Sequence, residues 1–308
     1  NDILKCIGQK KSNNSFKVKD ISDLESASKN DISFFHTRKY LEKIKNTKSK
    51  LVITNQKLMK IVPKSIRIIV VSNVLISVAK VTSLFYPDAL DDTFDDDVFP
   101  INKKKFKDIK FGNNVLLGKN VKIGKNCSIG HNTIIEHNVS IGNNCKIGNN
   151  VLLKNSLIGN NTNILDGAIV GKKGFGFFPG NKNIRYPHIG AVIIGDNVEI
   201  GCNNTIDRGS LSNTVIGDGT FLDNQVHIGH NVKIGKNCII TGQVGFAGSA
   251  SIGNNVMIGG QAGISGHLTV GDNVQIGGGS GVIKDIPSNT KVMGYPAKNI
   301  RNFIIENK

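Results

Sequence analysis

The chain has 308 residues, room for two domains, with 39% apolar residues, a formal net charge of +16 and no tryptophan. That charge fits either lysine drift at solvent-facing turns or a positive field for an acidic or phosphorylated partner. The lysines are scattered and not interleaved with aromatics, which argues against nucleic acid. The most apolar run, 66–87, is broken by Arg67, Ser72, Asn73 and Lys80 and cannot span a bilayer.

Residues 1–87 read as a small α/β domain. Asp31–Phe35, 50–54 and 66–71 have strand character. Between the first two, 38–46 carries Tyr40, Leu41 and Ile44 at helical spacing, and Val74–Phe85 is a second helix that stops before Pro87. An acidic run follows, with Asp88, Asp91, Asp92, Asp95, Asp96 and Asp97, closed by Pro100. It is expected to be a solvated connector. The predicted boundaries are 1–98 for the α/β domain with this linker, 99–290 for a repeat domain, and 291–308 for a terminal turn and short helix.

From Val115 an apolar residue returns every sixth position: Leu117, Ile123, Ile129, Ile135, Ile141, Ile147 and Leu153. The phase slips after Lys154 and resumes at Ile194, Ile200 and Ile206, with interruptions at 171–188 and 208–213. From 214 to 282 the rhythm is unbroken through Ile216, Leu222, Ile228, Ile234, Ile240, Phe246, Ile252, Ile258, Ile264, Val270, Ile276 and Val282. A period of six fits neither a helix nor a lone strand. It is a solenoid period, in which each repeat needs its neighbours to bury its apolar side. Three hexads per coil make a triangular parallel β-helix of about eight or nine coils, roughly 40 Å long. The expected class is therefore mainly β, and the pattern resembles the left-handed hexapeptide-repeat β-helices, an exception to right-handed crossovers. Insertions into such a prism enter at corners and tend to gather on a binding face.

The five cysteines show no CxxC spacing, and Cys127, Cys145 and Cys238 fall on small inward positions, as core filler in a reducing compartment would. No signal peptide is read before Ile3, so a cytoplasmic protein is expected. Histidine is the side chain best poised for base work near neutral pH. His131 and His137 sit in ordinary polar turns and read as solvated, His36 lies in the first domain, and His188 in the long interruption. His227, His230 and His267 follow the interruptions. His227 and His230 fall on a strand and the next turn, aimed apart, which disfavours a shared metal. Gly248 lies 18 residues beyond His230, one coil up on the same corner. A base beside a glycine N–H suits acyl transfer, because the bare backbone can approach a reacting carbonyl.

Several segments together resemble one family, the UDP-3-O-(3-hydroxyacyl)glucosamine N-acyltransferases of lipid A synthesis. They are Asn204-Thr205-Ile206-Asp207-Arg208-Gly209, Asp223-Asn224-Gln225-Val226-His227-Ile228-Gly229-His230, Gly260-Gln261-Ala262-Gly263-Ile264-Ser265-Gly266-His267, Gly174-Phe175-Gly176-Phe177 and Gly294-Tyr295-Pro296-Ala297. Ile32-Ser33-Phe34 followed by Lys39-Tyr40 belongs to the same pattern. The resemblance implies a homotrimer that passes a 3-hydroxyacyl group from the phosphopantetheine of acyl carrier protein to the 2-amine of a UDP-sugar, with no other cofactor and no metal. It implies His230 as general base, the Gly248 N–H as oxyanion donor and His267 as a donor-positioning residue. Phe34 and Tyr40 would sandwich the uracil, and Asp223, Phe175 and Phe177 would contact substrate. The acyl chain would run near the last coils, where Gly277-Gly278-Gly279-Ser280-Gly281 presents no bulk. Phe221-Leu222 replaces a common Lys-Ile, and Thr37 replaces a common Asn between the two stacking aromatics. The competing readings are a sugar-nucleotide O-acyltransferase, a coenzyme A-dependent acetyltransferase and a non-catalytic solenoid.

Overall fold

A computed structural model describes residues 1–12, 16–91, 93–101, 106, 108–178 and 183–294. The chain forms two units. The first holds Asn1–Thr93 with Lys173–Gly190 and Gly209–Ser212; the second holds Phe94–Lys172, Ala191–Arg208 and the chain from Asn213 onward. The excursions 173–190 and 209–212 thus group with the first unit rather than with the coils that flank them.

In the first unit, β1 (Asp20–Ile21), β2 (Asp31–Phe35), β3 (Leu51–Thr54) and β4 (Arg67–Val70) form an all-parallel sheet in that order. Successive strand residues face opposite sides. Ile32, Leu51 and Ile53 therefore meet Val74, Val78 and Val81 of α1 (Val74–Phe85), while Phe35 and Val52 pack with Leu24 and Ile44 on the other side. Helix α1 begins where the Asn73 side chain accepts the Ile76 N–H at 3.0 Å, an N-cap that satisfies one orphan donor. A short helix at Asp2–Cys6 and strand β1 escaped the sequence reading, being too short to show a period.

In the second unit the hexads become two- to four-residue strands on three parallel faces of a prism. Inward residues from Ile129 through Val282 form one continuous core. All twelve hexad residues from Ile216 to Val282 are buried, each contributing about 1.5–3 kcal/mol relative to exposure. Cys127, Cys145 and Cys238 are buried free thiols, and burial pushes the Cys145 thiol up to about 11. Most described corners close on a residue in the left-handed region, usually Asn, as at Asn120 (φ 59°) and Asn237 (φ 54°), since its short polar side chain tolerates that conformation.

Two expectations change. The acidic run is not wholly solvated: Asp95 accepts the His137 N–H at 3.1 Å, sits 2.7 Å from His137 Nδ1, and has a side chain only 9% exposed. Burial opposes its ionisation, but the His137 contacts outweigh that and hold the carboxyl below its ordinary value. Phe99–Pro100 then pairs antiparallel with Leu116–Leu117 and covers a sheet edge that would otherwise stay open. The rhythm also continues one rung past Pro287, because Lys291–Val292 pairs with Gln275–Ile276 at a spacing shortened to 16 residues. Tyr295-Pro296-Ala297 and the expected terminal helix lie outside the described residues.

Candidate active site

The three corners of the prism are not equivalent. One keeps the ordinary repeat throughout: Lys125, Asn143, Asn160, Asp196, Asp218, Lys236, Asn254 and Asp272 stack along it. Most of them offer a side-chain oxygen to the backbone N–H one coil below, for instance Lys236 N to Asn254 Oδ1 at 2.8 Å. The other two corners bound a single face, whose outward residues are Thr205, His227, Gly245, Gly263 and Gly281 on successive coils. Here Asn203 and Asn231 keep the usual residue, but Gln225, Gln243, Ser249, Gln261 and His267 take the other left-handed positions, with Gly279 at the last. Residues other than Asn, Asp or Gly in that conformation carry strain, which gathers at functional sites.

One of these corners carries His230. Both excursions leave from it, after Lys172 and Arg208, which precede it on the coils below. A Cβ on Gly248 would lie 2.6 Å from His230 Nε2 and 2.7 Å from its Cε1, so the imidazole rests on the bare α-carbon of Gly248. Gly229 must also lack a side chain, since a Cβ there would lie 2.8 Å from the Phe246 carbonyl oxygen and 3.0 Å from the Gly248 N. His230 Nδ1 stands 2.9 Å from Asn231 Oδ1, an acceptor only, so Nδ1 carries the proton and Nε2 keeps its lone pair. The Asn231 N–H in turn donates to Thr214 Oγ1 at 2.9 Å. Among the described residues the Gly248 N–H is not a donor in any backbone hydrogen bond, although the neighbouring Ala247 and Ser249 N–H groups are. An acceptor nitrogen and an uncommitted N–H thus share one corner. That pairing can take a proton from a nucleophile and steady an oxyanion.

The other expected site residues fall around the same face or in the first unit. His267 sits two coils above Asn231 in the left-handed region (φ 61°) and donates its N–H to Gly248 O at 3.2 Å. Asp223 lies on the opposite corner of the face, its Oδ2 3.2 Å from where a Gly242 Cβ would stand, so one chain does not bring it beside His230. In the first unit, Phe175 is 76% exposed and makes an edge contact with Phe177 at 4.8 Å, in a loop that includes the antiparallel pair Phe177–Phe178 and Ile184–Arg185. Phe34 and Tyr40 lie at the carboxyl end of β2, the end of a parallel sheet where ligands bind. His36 occupies the space between them, 5.6 Å from the Phe34 ring and 5.4 Å from Tyr40.

The sequence motifs contained these residues but did not show three features of their contacts and surroundings. Asn231 fixes the tautomer of His230. Asp207 and Arg208 are half-buried in the coil below, where burial raises the Asp207 carboxyl to about 7 and lowers the Arg208 guanidinium to about 10. Thr205 Oγ1 meets His227 Nδ1 at 2.8 Å. His131 and His137 take part in turn contacts rather than facing this site, His131 accepting the Asn113 N–H at 2.9 Å. His188 is buried, 2% exposed. Among the described residues no three His, Cys, Asp or Glu side chains converge as a metal site requires.

Residues 15–84 match the family model described as UDP-3-O-(3-hydroxymyristoyl) glucosamine N-acyltransferase. Residues 213–248 match bacterial transferase hexapeptide repeats, and 249–284 the hexapeptide repeat of succinyl-transferase. A UDP-3-O-acylglucosamine N-acyltransferase 2 of Legionella pneumophila (strain Paris) is 46% identical over 222 residues, 71% of this chain and 65% of that protein. The chain is a relative of the UDP-3-O-acylglucosamine N-acyltransferases. A member of that family from Agrobacterium fabrum is 55% identical over 148 residues, 48% of this chain and 42% of that protein. The chain thus spans about two thirds of the length of the Legionella relative. The UDP-N-acetylglucosamine acyltransferase from Campylobacter jejuni superposes with a TM-score of 0.54 at 24% identity, covering 65% of this chain and 78% of that one. This likeness speaks to fold: the solenoid is the left-handed parallel β-helix that the hexads predict. No helix among the described residues is long and apolar enough to cross a membrane.

Proposed function

We propose that the chain is an N-acyltransferase that moves a 3-hydroxyacyl group from acyl carrier protein to the 2-amine of a UDP-3-O-acylglucosamine, acting in the cytoplasm as a homotrimer in lipid A synthesis. The observation that carries the reading is the His230 imidazole on bare Gly248, with its proton fixed on Nδ1 by Asn231. In the reaction, the sugar amine attacks the thioester carbonyl as His230 Nε2 takes the amine proton. The Gly248 N–H receives the oxyanion. Collapse of the tetrahedral adduct breaks the C–S bond, the proton returns to the leaving thiolate, and the amide remains. His267, two coils above Asn231, holds the donor, and the phosphopantetheine of the carrier is the only prosthetic arm the chemistry calls on. Asp223, Phe175 and Phe177 contact the sugar nucleotide in this scheme. The test is turnover of the acylated UDP-glucosamine with either 3-hydroxyacyl carrier protein or acetyl-CoA. Amide formation with the carrier alone supports the reading, and formation with acetyl-CoA alone replaces it.

The uracil is held by Phe34 and Tyr40, with His36 between them yielding its place or stacking beside the base. Flat stacking binds ground and transition states alike. Phe34→Ala or Tyr40→Ala is expected to raise KM for the sugar nucleotide about tenfold with kcat little changed, the signature of lost uniform binding. Steady-state kinetics with UMP as competitor checks this, and a fall confined to kcat would refute it.

Donor length is set along the glycine track. A Cβ at Gly245, Gly263 or Gly281 would have nothing within 4 Å, so the outward side of these coils is open. Each methylene buried in available space adds about 0.8 kcal/mol. Gly281→Met is expected to shift preference toward shorter donors by several-fold in kcat/KM per two carbons. Competition between donors of graded length reads the shift, and an unchanged preference places the ruler elsewhere.

A further inference from the structure

The first unit carries a cavity of about 390 Å³ that none of the residues assigned to the reaction lines. It opens between the short helix at Asp2–Cys6, the outer side of α1, the turn that follows α1 and the hairpin strand Ile184–Arg185. All four elements belong to that unit. The volume falls among those of small-molecule sites, roughly 300–1,000 Å³. On α1, Lys80, Ser83 and Leu84 are three and four residues apart and so share one face. That face lies opposite Val74, Val78 and Val81, which pack on the sheet. The apolar walls are Leu84, Leu90 and Ile184, left 45%, 39% and 39% exposed.

Two cations, Lys80 and Arg185, complete the lining. Both are exposed, and among the described residues neither side chain has an ion-pair or hydrogen-bond partner. No carboxylate lines the cavity; Asp88 and Asp91 belong to the turn that carries Leu90 but are not among its walls. The lining holds no aromatic ring on which a base could stack, and only Ser83 and Cys6 as uncharged polar groups to meet a sugar. A nucleotide or a sugar is therefore a poor fit. An aliphatic chain with one anionic end meets both features of the site. Its methylenes cover Leu84, Leu90 and Ile184, each one buried tightening binding about fourfold. Its carboxylate accepts from Lys80 Nζ and from the flat fork of the Arg185 guanidinium.

We propose that this cavity is a ligand site for a free aliphatic carboxylate of medium length, held by Lys80 and Arg185. The assignment does not depend on the acyl-transfer reading. The occupant ties the hairpin to α1. Phe177 pairs with Arg185 and Phe178 with Ile184, so a ligand that grips Arg185 also steadies the strand that carries Phe177. It also covers Cys6, whose thiol donates to the Lys80 carbonyl oxygen at 3.4 Å.

Octanoate and 1-octanol, alike in chain and different in charge, are the probes, and the full chain is the sample. The rate of Cys6 alkylation by iodoacetamide, read by mass spectrometry on its own peptide, reports on the cavity directly. Cys202, a half-buried free thiol of the second unit, is the internal control. Octanoate is expected to slow Cys6 several-fold and to leave Cys202 unchanged. At equal concentration 1-octanol should be roughly fivefold less effective, the size of the exposed ion pairs it cannot make. Lys80→Gln combined with Arg185→Gln should erase the difference between the probes. Thermal unfolding should stay where it was, because both side chains are exposed. Exchange of the Tyr186 amide, which donates to Gly176 O at 2.9 Å across the hairpin, should slow with octanoate in the wild type and not in the double variant. Equal protection by the two probes, protection that survives the double substitution, or none at millimolar octanoate overturns the proposal. So does protection of Cys6 that grows with protein concentration and needs no probe, which would give the cavity to a second copy of the chain. Unchanged Tyr186 exchange beside a protected Cys6 removes the tie to the hairpin.

Discussion

His230→Ala is expected to lower kcat by about 10²–10⁴-fold, the range in which a positioned general base contributes. Its imidazole is half-buried at a corner and not part of the inward core, so the coil keeps its packed Ile228 and Val232. Thermal unfolding should therefore change little. His230→Gln retains a side chain of similar reach but no base, and should be as inactive as alanine. Retention of more than half the wild-type rate in either variant would remove His230 from the chemistry.

Gly248→Ala should come close to that loss through a different route. Its backbone is not in the left-handed region, so alanine is not strained there. The added methyl, however, would stand 2.6 Å from His230 Nε2, and real contacts are not that short. The ring must leave the place that Asn231 gives it. Displacing a catalytic group by about 1 Å can cost roughly 10²-fold, and that is the expected fall in kcat. The informative experiment is the double variant. If the methyl acts by evicting the base, adding Gly248→Ala to His230→Ala should cost little more, because the two changes damage one unit. Independent multiplication of the two losses would show that the glycine acts through its own N–H alone.

The hexads made the solenoid readable because in-and-out alternation is written directly in the spacing. From that came the inward residues, the 18-residue step from His230 to Gly248, and the inward cysteines, all as the structure has them. Corners were harder. A corner side chain can turn to a sequence neighbour or to another coil, so the bond of Asn231 to the adjacent imidazole depends on rotamer rather than on period. The two excursions were legible as interruptions, but their shared corner required counting coils across a phase slip. The linker looked solvated because a run of aspartates usually is; Asp95 departs from this because His137 offers it both a backbone and a ring nitrogen. In the first unit β2, β3 and Val74–Phe85 were clear from pattern. That His36 stands between Phe34 and Tyr40 was not, since residues 34, 36 and 40 fall partly on a strand and partly on a 3-10 turn.

The ordinary third corner bears on how this protein can change over time. Its ladder asks of each position only an oxygen able to accept the backbone N–H below, or a residue that can stand beside one. Asn, Asp and Lys already alternate there, and Lys236 answers Asp218 at 2.8 Å. Substitutions among these residues leave the core and the enclosed face untouched, so a genome's compositional bias can accumulate along this edge with little consequence. The two edges that enclose Thr205, His227 and the glycine track have no such freedom. Surface charge along that third edge can therefore be altered with little effect expected on the enclosed face.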